Sequence, residues 1–170
     1  IQIGTVLNTS IDNGTSFTAL TTLPSGASIK AVNSNSIYAT SSTEIYVSND
    51  SGNSWTSLNC PANGIQCVAI SGNNIFAGTS SSGVIKTTNN GTTWNYINNG
   101  LNTSYSINDI AANNQYVFIS GWGISYSNLN GNGWSSFNTG LTSSNTNRIS
   151  LKNGLAFTSL GSKGVWKTTI

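Results

Sequence analysis

Four carboxylates, one arginine, five lysines, two cysteines and no histidine are the charged and thiol groups that this sequence offers for ionic or nucleophilic chemistry, beside many hydroxyls. The acids are Asp12, Glu44, Asp50 and Asp109. Glycoside hydrolysis needs two carboxyl groups roughly 5–10 Å apart, and acyl transfer through a serine needs a histidine as general base. The missing histidine removes the second chemistry. For the first, Asp12 and Asp50 stand in turn sequences, while Glu44 and Asp109 fall near strand ends in different repeat units and are expected as ordinary solvated carboxylates. No catalytic, metal-binding or cofactor-binding residues are expected, and the chain is read as a non-enzyme.

Cys60 and Cys67 stand in "LNCPANGIQC". The first expectation is a disulfide made in an oxidising compartment, and the alternative is a pair of free buried thiols. A metal site is the weakest reading, because no histidine or third thiol completes a tetrahedral set.

The 170 residues are 6% charged with a formal net charge of +2, and the basic residues are scattered. A grip on nucleic acid needs clustered Lys and Arg to displace counterions, so nucleic acid is not an expected partner. Solubility rests on Asn, Ser, Thr and Gly, a composition that suits an extracellular or cell-surface protein. Five Trp and six Tyr, among regularly spaced Ile and Val, argue for a packed core rather than disorder. No stretch approaches the roughly 20 apolar residues of a membrane helix. With no Met and no signal-like start, the sequence is read as a processed or excised segment.

The elements that must position these residues follow from "VSNDSGNSW", which begins at Val47 and has counterparts in "TSIDNGTSF", "KTTNNGTTW" and "YSNLNGNGW". Gly14, Gly52, Gly91 and Gly131 are separated by 38, 39 and 40 residues, and Phe17, Trp55, Trp94 and Trp134 each follow three positions later. A fixed period near 40 signals a repeat architecture. Around each glycine the sequence reads strand, turn, strand. The Asp or Asn two positions before it accepts backbone N–H bonds of its own turn, the glycine takes a positive φ, and the aromatic plugs apolar space beneath. Two more strands lie upstream, as in "IQCVAIS" with "NIFAGTS". Four strands per unit is the arithmetic of a β-propeller blade.

The expected fold is therefore all-β, a single repeat domain over residues 1–170 in four-stranded antiparallel blades of period about 39, roughly four per chain. Residues 1–20 form a half blade (strands three and four), 21–60, 61–100 and 101–141 form blades, and 142–170 supply strands one to three.

The pattern S-x-D-x-G-x-[ST]-W, met by Ser48, Asp50, Gly52, Ser54 and Trp55, resembles the Asp-box, or bacterial neuraminidase repeat, of sialidases, sortilin-like propellers and many secreted bacterial propellers. Ser10, Asp12, Gly14 and Ser16 fit with Phe17 in place of Trp, and Thr87, Asn89, Gly91, Thr93 and Trp94 fit with Asn in place of Asp. The fourth copy keeps Ser127, Gly131 and Trp134 but has Leu129 and Gly133, so its turn must be held differently. The resemblance implies that the boxes lie between third and fourth strands, away from the central tunnel where ligands usually bind. It also brings sialidase activity to mind, which is rejected: sialidases clamp the sugar carboxylate with three arginines, and here Arg148 is alone.

Two readings of function remain. The favoured one is a non-catalytic extracellular module for assembly or adhesion, pairing by strand or blade complementation with copies of itself, head to tail, or with the rest of a longer propeller. Its alternative is a glycan- or protein-binding propeller. Trp122, in "SGWGIS", is the candidate ligand contact; Tyr105, Tyr116 and Trp166 are the other aromatics outside the boxes. Trp122 can stack on a sugar, although packing between neighbouring blades is the expected role. Asn8, Asn13, Asn49, Asn90 and Asn102 are sequons, hence candidate sites of a glycoprotein.

Overall fold

The computed structural model describes residues 2, 3 and 6–170; Ile1, Gly4 and Thr5, in the segment expected as a half blade, lie outside the described residues. Five antiparallel sheets follow one another along the chain. The first holds β1 (Gln2–Ile3), β2 (Val6–Thr9) and β3 (Thr18–Thr22). The second holds β4 (Ser28–Val32), β5 (Ile37–Thr40), β6 (Ile45–Ser48) and β7 (Thr56–Ser57). The third holds β8 (Ile65–Ser71), β9 (Asn74–Thr79), β10 (Val84–Thr87) and β11 (Asn95–Tyr96). β12 (Asp109–Ala112), β13 (Tyr116–Gly121), β14 (Gly123–Asn128) and β15 (Ser135–Ser136) make the fourth. β16 (Arg148–Lys152), β17 (Leu155–Ser159) and β18 (Val165–Thr169) make the fifth. Within each sheet the strands lie in chain order. The first sheet has a strand more than expected, because β1 pairs with β2.

Why the inner strands carry unbroken apolar runs is answered by packing. Successive side chains of a strand point to opposite faces, and in the third sheet both faces are covered. Val68, Ile75, Ala77 and Ile85 turn toward the second sheet, beside Tyr38, Ile45 and Leu58. Cys67, Ala69, Phe76 and Val84 turn toward the fourth, beside Ile107, Ile110, Val117 and Ile119. The aromatic-rich contact of Phe118, Tyr126 and Phe137 with Ile149 and Leu151 joins the fourth sheet to the fifth. The core is thus a series of inter-sheet layers, as stacked blades require.

This layering overturns the disulfide. Cys60 and Cys67 are both free and buried. Cys60 lies in the layer between the second and third sheets and Cys67 in the layer between the third and fourth. Strand β8 separates the two thiols, and no rotamer reaches through it.

Candidate functional site

The box turns are built from short polar contacts. In the second sheet the Ser48 hydroxyl donates to Asp50 Oδ1 at 2.7 Å, Ser54 N–H donates to the same oxygen at 2.8 Å, and the Ser54 hydroxyl donates to Oδ2 at 2.6 Å. Asp12 repeats this with Ser10 and Ser16. Bonds from Ser54, chiefly its hydroxyl and then its N–H, with help from Ser48, hold the Asp50 carboxyl down at about 2. Asp12 is held at about 2 by Ser16 and Ser10 in the same way. Asn89 reproduces the geometry without charge, accepting from Thr93 N–H at 2.9 Å and donating from Nδ2 to Thr93 Oγ1 at 3.0 Å. Gly91, at φ 85°, cannot carry a side chain, since a Cβ there would stand 2.2 Å from the Leu58 carbonyl oxygen of the preceding sheet.

In the fourth box the acceptor moves back one residue. Asn128 Oδ1 takes the N–H groups of Asn130 and Asn132. Leu129 instead packs on the core, and its carbonyl accepts from the Lys86 ammonium. Burial pushes the Lys86 ammonium down from its usual range.

The aromatics at the boxes do not share one role. Trp94 Nε1 donates to Leu58 O at 3.0 Å, and Trp134 Nε1 donates to Ile97 O, so each ties its sheet to the one before. Trp55 is half-buried, and among the described residues its Nε1 has no partner. Phe17, expected as a plug, is 47% exposed. The carboxylates outside the boxes are not idle in solvent as expected. Glu44 Oε1 accepts from Ile45 and Cys60 N–H. Asp109 accepts from Ile110 and Ile149 N–H and lies 3.9 Å from Arg148, joining the fourth sheet to the fifth. Both are structural acceptors in different sheets.

Trp122 is the larger correction. It is 66% exposed rather than packed between blades, and its ring stacks on that of Tyr105 with centroids 5.6 Å apart and 15° between planes. The reason is local. Ser41–Glu44 join β5 to β6 and Ser80–Gly83 join β9 to β10, whereas Trp122 alone joins β13 to β14. Gly121 and Gly123 pair directly on either side of it. Thr146, fully buried at the entry to the fifth sheet, clamps this turn: its N–H donates to Gly121 O at 3.1 Å and its hydroxyl to Gly123 O at 2.8 Å. Where the other sheets have longer loops, the space beside the indole is open.

That space is a cavity of about 240 Å³ whose lining includes Tyr105, Trp122, Trp134, Ser136 and Asn138. Strands alternate in direction, so the box turns lie at one end of the sheets and the Trp122 turn at the other, and the cavity reaches from that turn to the box residue Trp134. Asn138 is fixed by accepting Ile124 N–H at 2.7 Å and by donating to Ser136 Oγ at 2.8 Å. Ser120 also lines the cavity; it is 1% exposed, and among the described residues its hydroxyl has no partner. Tyr105 is the one ionisable side chain in the lining. Sequence reasoning singled out Trp122 but missed Ser120 and Asn138. The second was detectable: Asn59, Asn98 and Asn138 each follow a box Trp by four positions, and Asn98 likewise accepts Val84 N–H.

The candidate glycosylation sites Asn13, Asn49, Asn90 and Asn102 are exposed, and Asn8 is half-buried. Among the described residues no group of three His, Cys, Asp or Glu side chains is placed to hold a metal. No helix among them is long and apolar enough to cross a membrane.

A family model described as the DUF6242 beta propeller domain matches residues 4–103. No curated protein matches the chain in sequence. Among solved structures, YCF48 bound to D1 peptide is similar over 96% of this chain and 57% of its own, with a TM-score of 0.67 and 17% identity. The computationally designed Ika4 protein is similar over 85% of this chain and 92% of its own, at TM-score 0.65 and 13% identity. The designed Ika8 protein matches over 89% and 48%, at TM-score 0.64 and 13% identity. This chain therefore spans about half the length of YCF48 and of Ika8. At these identities the likeness is one of fold.

Proposed function

The chain belongs to the DUF6242 beta propeller domain family, and from that premise we propose that it is a non-catalytic binding module taking a neutral glycan on the Tyr105–Trp122 pair. The observation that carries this reading is the exposed, stacked aromatic pair beside an uncharged cavity in which Ser and Asn side chains are mixed with apolar ones such as Leu101, Ile107 and Ile119. A pyranose ring presents an apolar C–H face, which an indole face covers, and a rim of hydroxyls, which the exposed Ser136 and Asn138 meet. The lining contains no carboxylate to serve as acid or base, which supports binding without turnover. YCF48 is bound to a D1 peptide, so a propeller of this fold can also take a peptide; the uncharged lining here favours sugar.

In this reading the three regular turns are Asp-boxes of a secreted module, supported by the Ser–Asp–Ser and Thr–Asn–Thr bonding and by the low surface charge. Titration of the chain with a panel of neutral oligosaccharides, followed by tryptophan fluorescence and amide NMR, tests it. Trp122→Ala is expected to weaken binding about tenfold, the loss of one aromatic face, while Tm falls only slightly, by the loss of the Tyr105 stack. Binding indifferent to Trp122, or no binding by any glycan at millimolar concentration, would end the proposal.

A second reading, self-association through strand pairing, is favoured by β18. In the second to fourth sheets the outer edge is taken by β7, β11 or β15, whereas β18 is itself the edge of its sheet and Val165 is 74% exposed. Open strand edges recruit partners. Sedimentation across a concentration series distinguishes a monomer from an assembling chain.

A further inference from the structure

Trp122 stands between two residues that have no side chains with which to hold it. Gly121 and Gly123 pair across it, Gly123 at φ 88°, and glycine reaches conformations closed to other residues. Neighbouring segments press on both glycines. A Cβ on Gly121 would collide with the carbonyl oxygen of Ser106, next to Tyr105, and a Cβ on Gly123 would collide with the Asn138 amide.

The chain entering β16 pairs with the same turn. Gly123 N–H donates to Ser144 O at 2.6 Å, Trp122 bridges to Asn145, and Thr146 N–H donates to Gly121 O at 3.1 Å. Those are main-chain contacts, which any residue except proline keeps at position 146. The Thr146 hydroxyl adds a link of its own, accepting from Gly121 N–H at 2.9 Å and donating to Gly123 O at 2.8 Å. It thereby ties together the two residues that flank the indole. Thr146 is fully buried, and among the described residues its hydroxyl bonds only to this turn. In the preceding layer the equivalent residue is Ile107, two before β12 as Thr146 is two before β16. Ile107 is likewise buried, and its N–H donates to Thr79 O at 3.0 Å. An aliphatic side chain therefore suffices for packing at that place, and the hydroxyl is peculiar to the layer that holds the Trp122 turn.

We infer that Thr146 is a positioning residue for the ligand site: its hydroxyl fixes the Trp122 turn, so that the indole stands against Tyr105 before a ligand arrives. The entry to the fifth sheet thus becomes part of a site whose lining residues all precede it in the chain. The inference rests on the reading of the Tyr105–Trp122 pair as a glycan platform and deepens it. A platform ordered in advance loses less conformational freedom on binding. By linkage, a ligand that favours the ordered turn also favours the docking of residues 144–146 against it.

The test compares Thr146→Val, Thr146→Ser and Trp122→Ala with the parent. Valine keeps the shape and the main-chain bonds and has the aliphatic character of Ile107, so this variant is expected to fold; serine keeps the hydroxyl. Without ligand, the Tyr105 ring protons of the parent carry the ring-current shift of the stacked indole, which Trp122→Ala abolishes. Thr146→Ser is expected to retain that shift and Thr146→Val to lose most of it. With the panel of neutral oligosaccharides, Thr146→Val weakens binding about fivefold, the equivalent of one net hydrogen bond, and Thr146→Ser binds as the parent does. Bound glycan slows hydrogen exchange at the amides of residues 146 and 147 in the parent but not in Thr146→Val. A valine variant with the parent's ring shift and affinity would overturn the inference and leave the glycan reading standing. No binding by the parent would end the glycan reading, and the ligand-free ring shift would still decide whether Thr146 positions the pair. Should the valine variant fail to fold, a serine variant that loses the ring shift with its hydroxyl in place would overturn the inference.

Discussion

Asp50 and Asn89 occupy the same place in consecutive sheets and differ by a charge. Each accepts the same backbone N–H, from Ser54 and Thr93 respectively, so the fold itself shows that an amide fits. Bonds to an ionised acceptor are stronger than neutral ones, which is why the Asp50 carboxyl sits at about 2. A folded value below the unfolded one, about 3.9, means stabilisation that is complete above the unfolded value and lost as pH falls through the folded one. Asp50→Asn is therefore expected to lower Tm at pH 6 and to converge with the parent as the pH is taken down to about 2. Thermal melts of both proteins across that range check it; a difference independent of pH would remove the ionic part of the account.

At the scale of the element, the fourth strands are short: β7, β11 and β15 pair over two residues each. Ladder bonds alone hold them weakly. What fixes β11 and β15 is the indole at the turn, which reaches back across the layer to the preceding sheet. Trp134 is the more buried of the two. Trp134→Ala is expected to destabilise by about 3–5 kcal/mol, as for other buried aromatics. Trp134→Phe keeps most of the packing but leaves Ile97 O without its donor, an added loss of about 1–3 kcal/mol. Chemical denaturation measures both; a phenylalanine variant as stable as the parent would show that shape alone matters there.

For the whole molecule, stability is distributed over layers that share sheets, an arrangement close to a one-dimensional array of nearest-neighbour contacts. The two thiols report on different layers. Burial pushes Cys67 up to about 12 and raises Cys60 less, and only the thiolate reacts. The intact protein is expected to carry two alkylatable thiols without reduction, with Cys60 labelled before Cys67 under native conditions. Peptide mapping after pulsed alkylation reads both rates. A linked peptide in unreduced material would restore the disulfide that the layered core excludes.

The sequence by itself determined the strand pattern, the box turns and the propeller class, because these depend on local rules: alternation along a strand, positive φ at a glycine, an acceptor two residues before it. It also marked Trp122 as unusual. It did not determine which way a side chain faces when both faces of a strand are buried. Cys60 and Cys67 are seven residues apart yet lie in different layers, since the face taken by Cys67 is set by a bulge in β8 between Ile65 and Cys67. Likewise, Trp122 is exposed because its turn is too short to cover it and because Thr146, from the next sheet, clamps the flanking glycines. The Tyr105 stack and the burial of Ser120 depend on contacts between distant segments. Only the packing of one sheet on the next brings those segments together, so only the tertiary structure decided them.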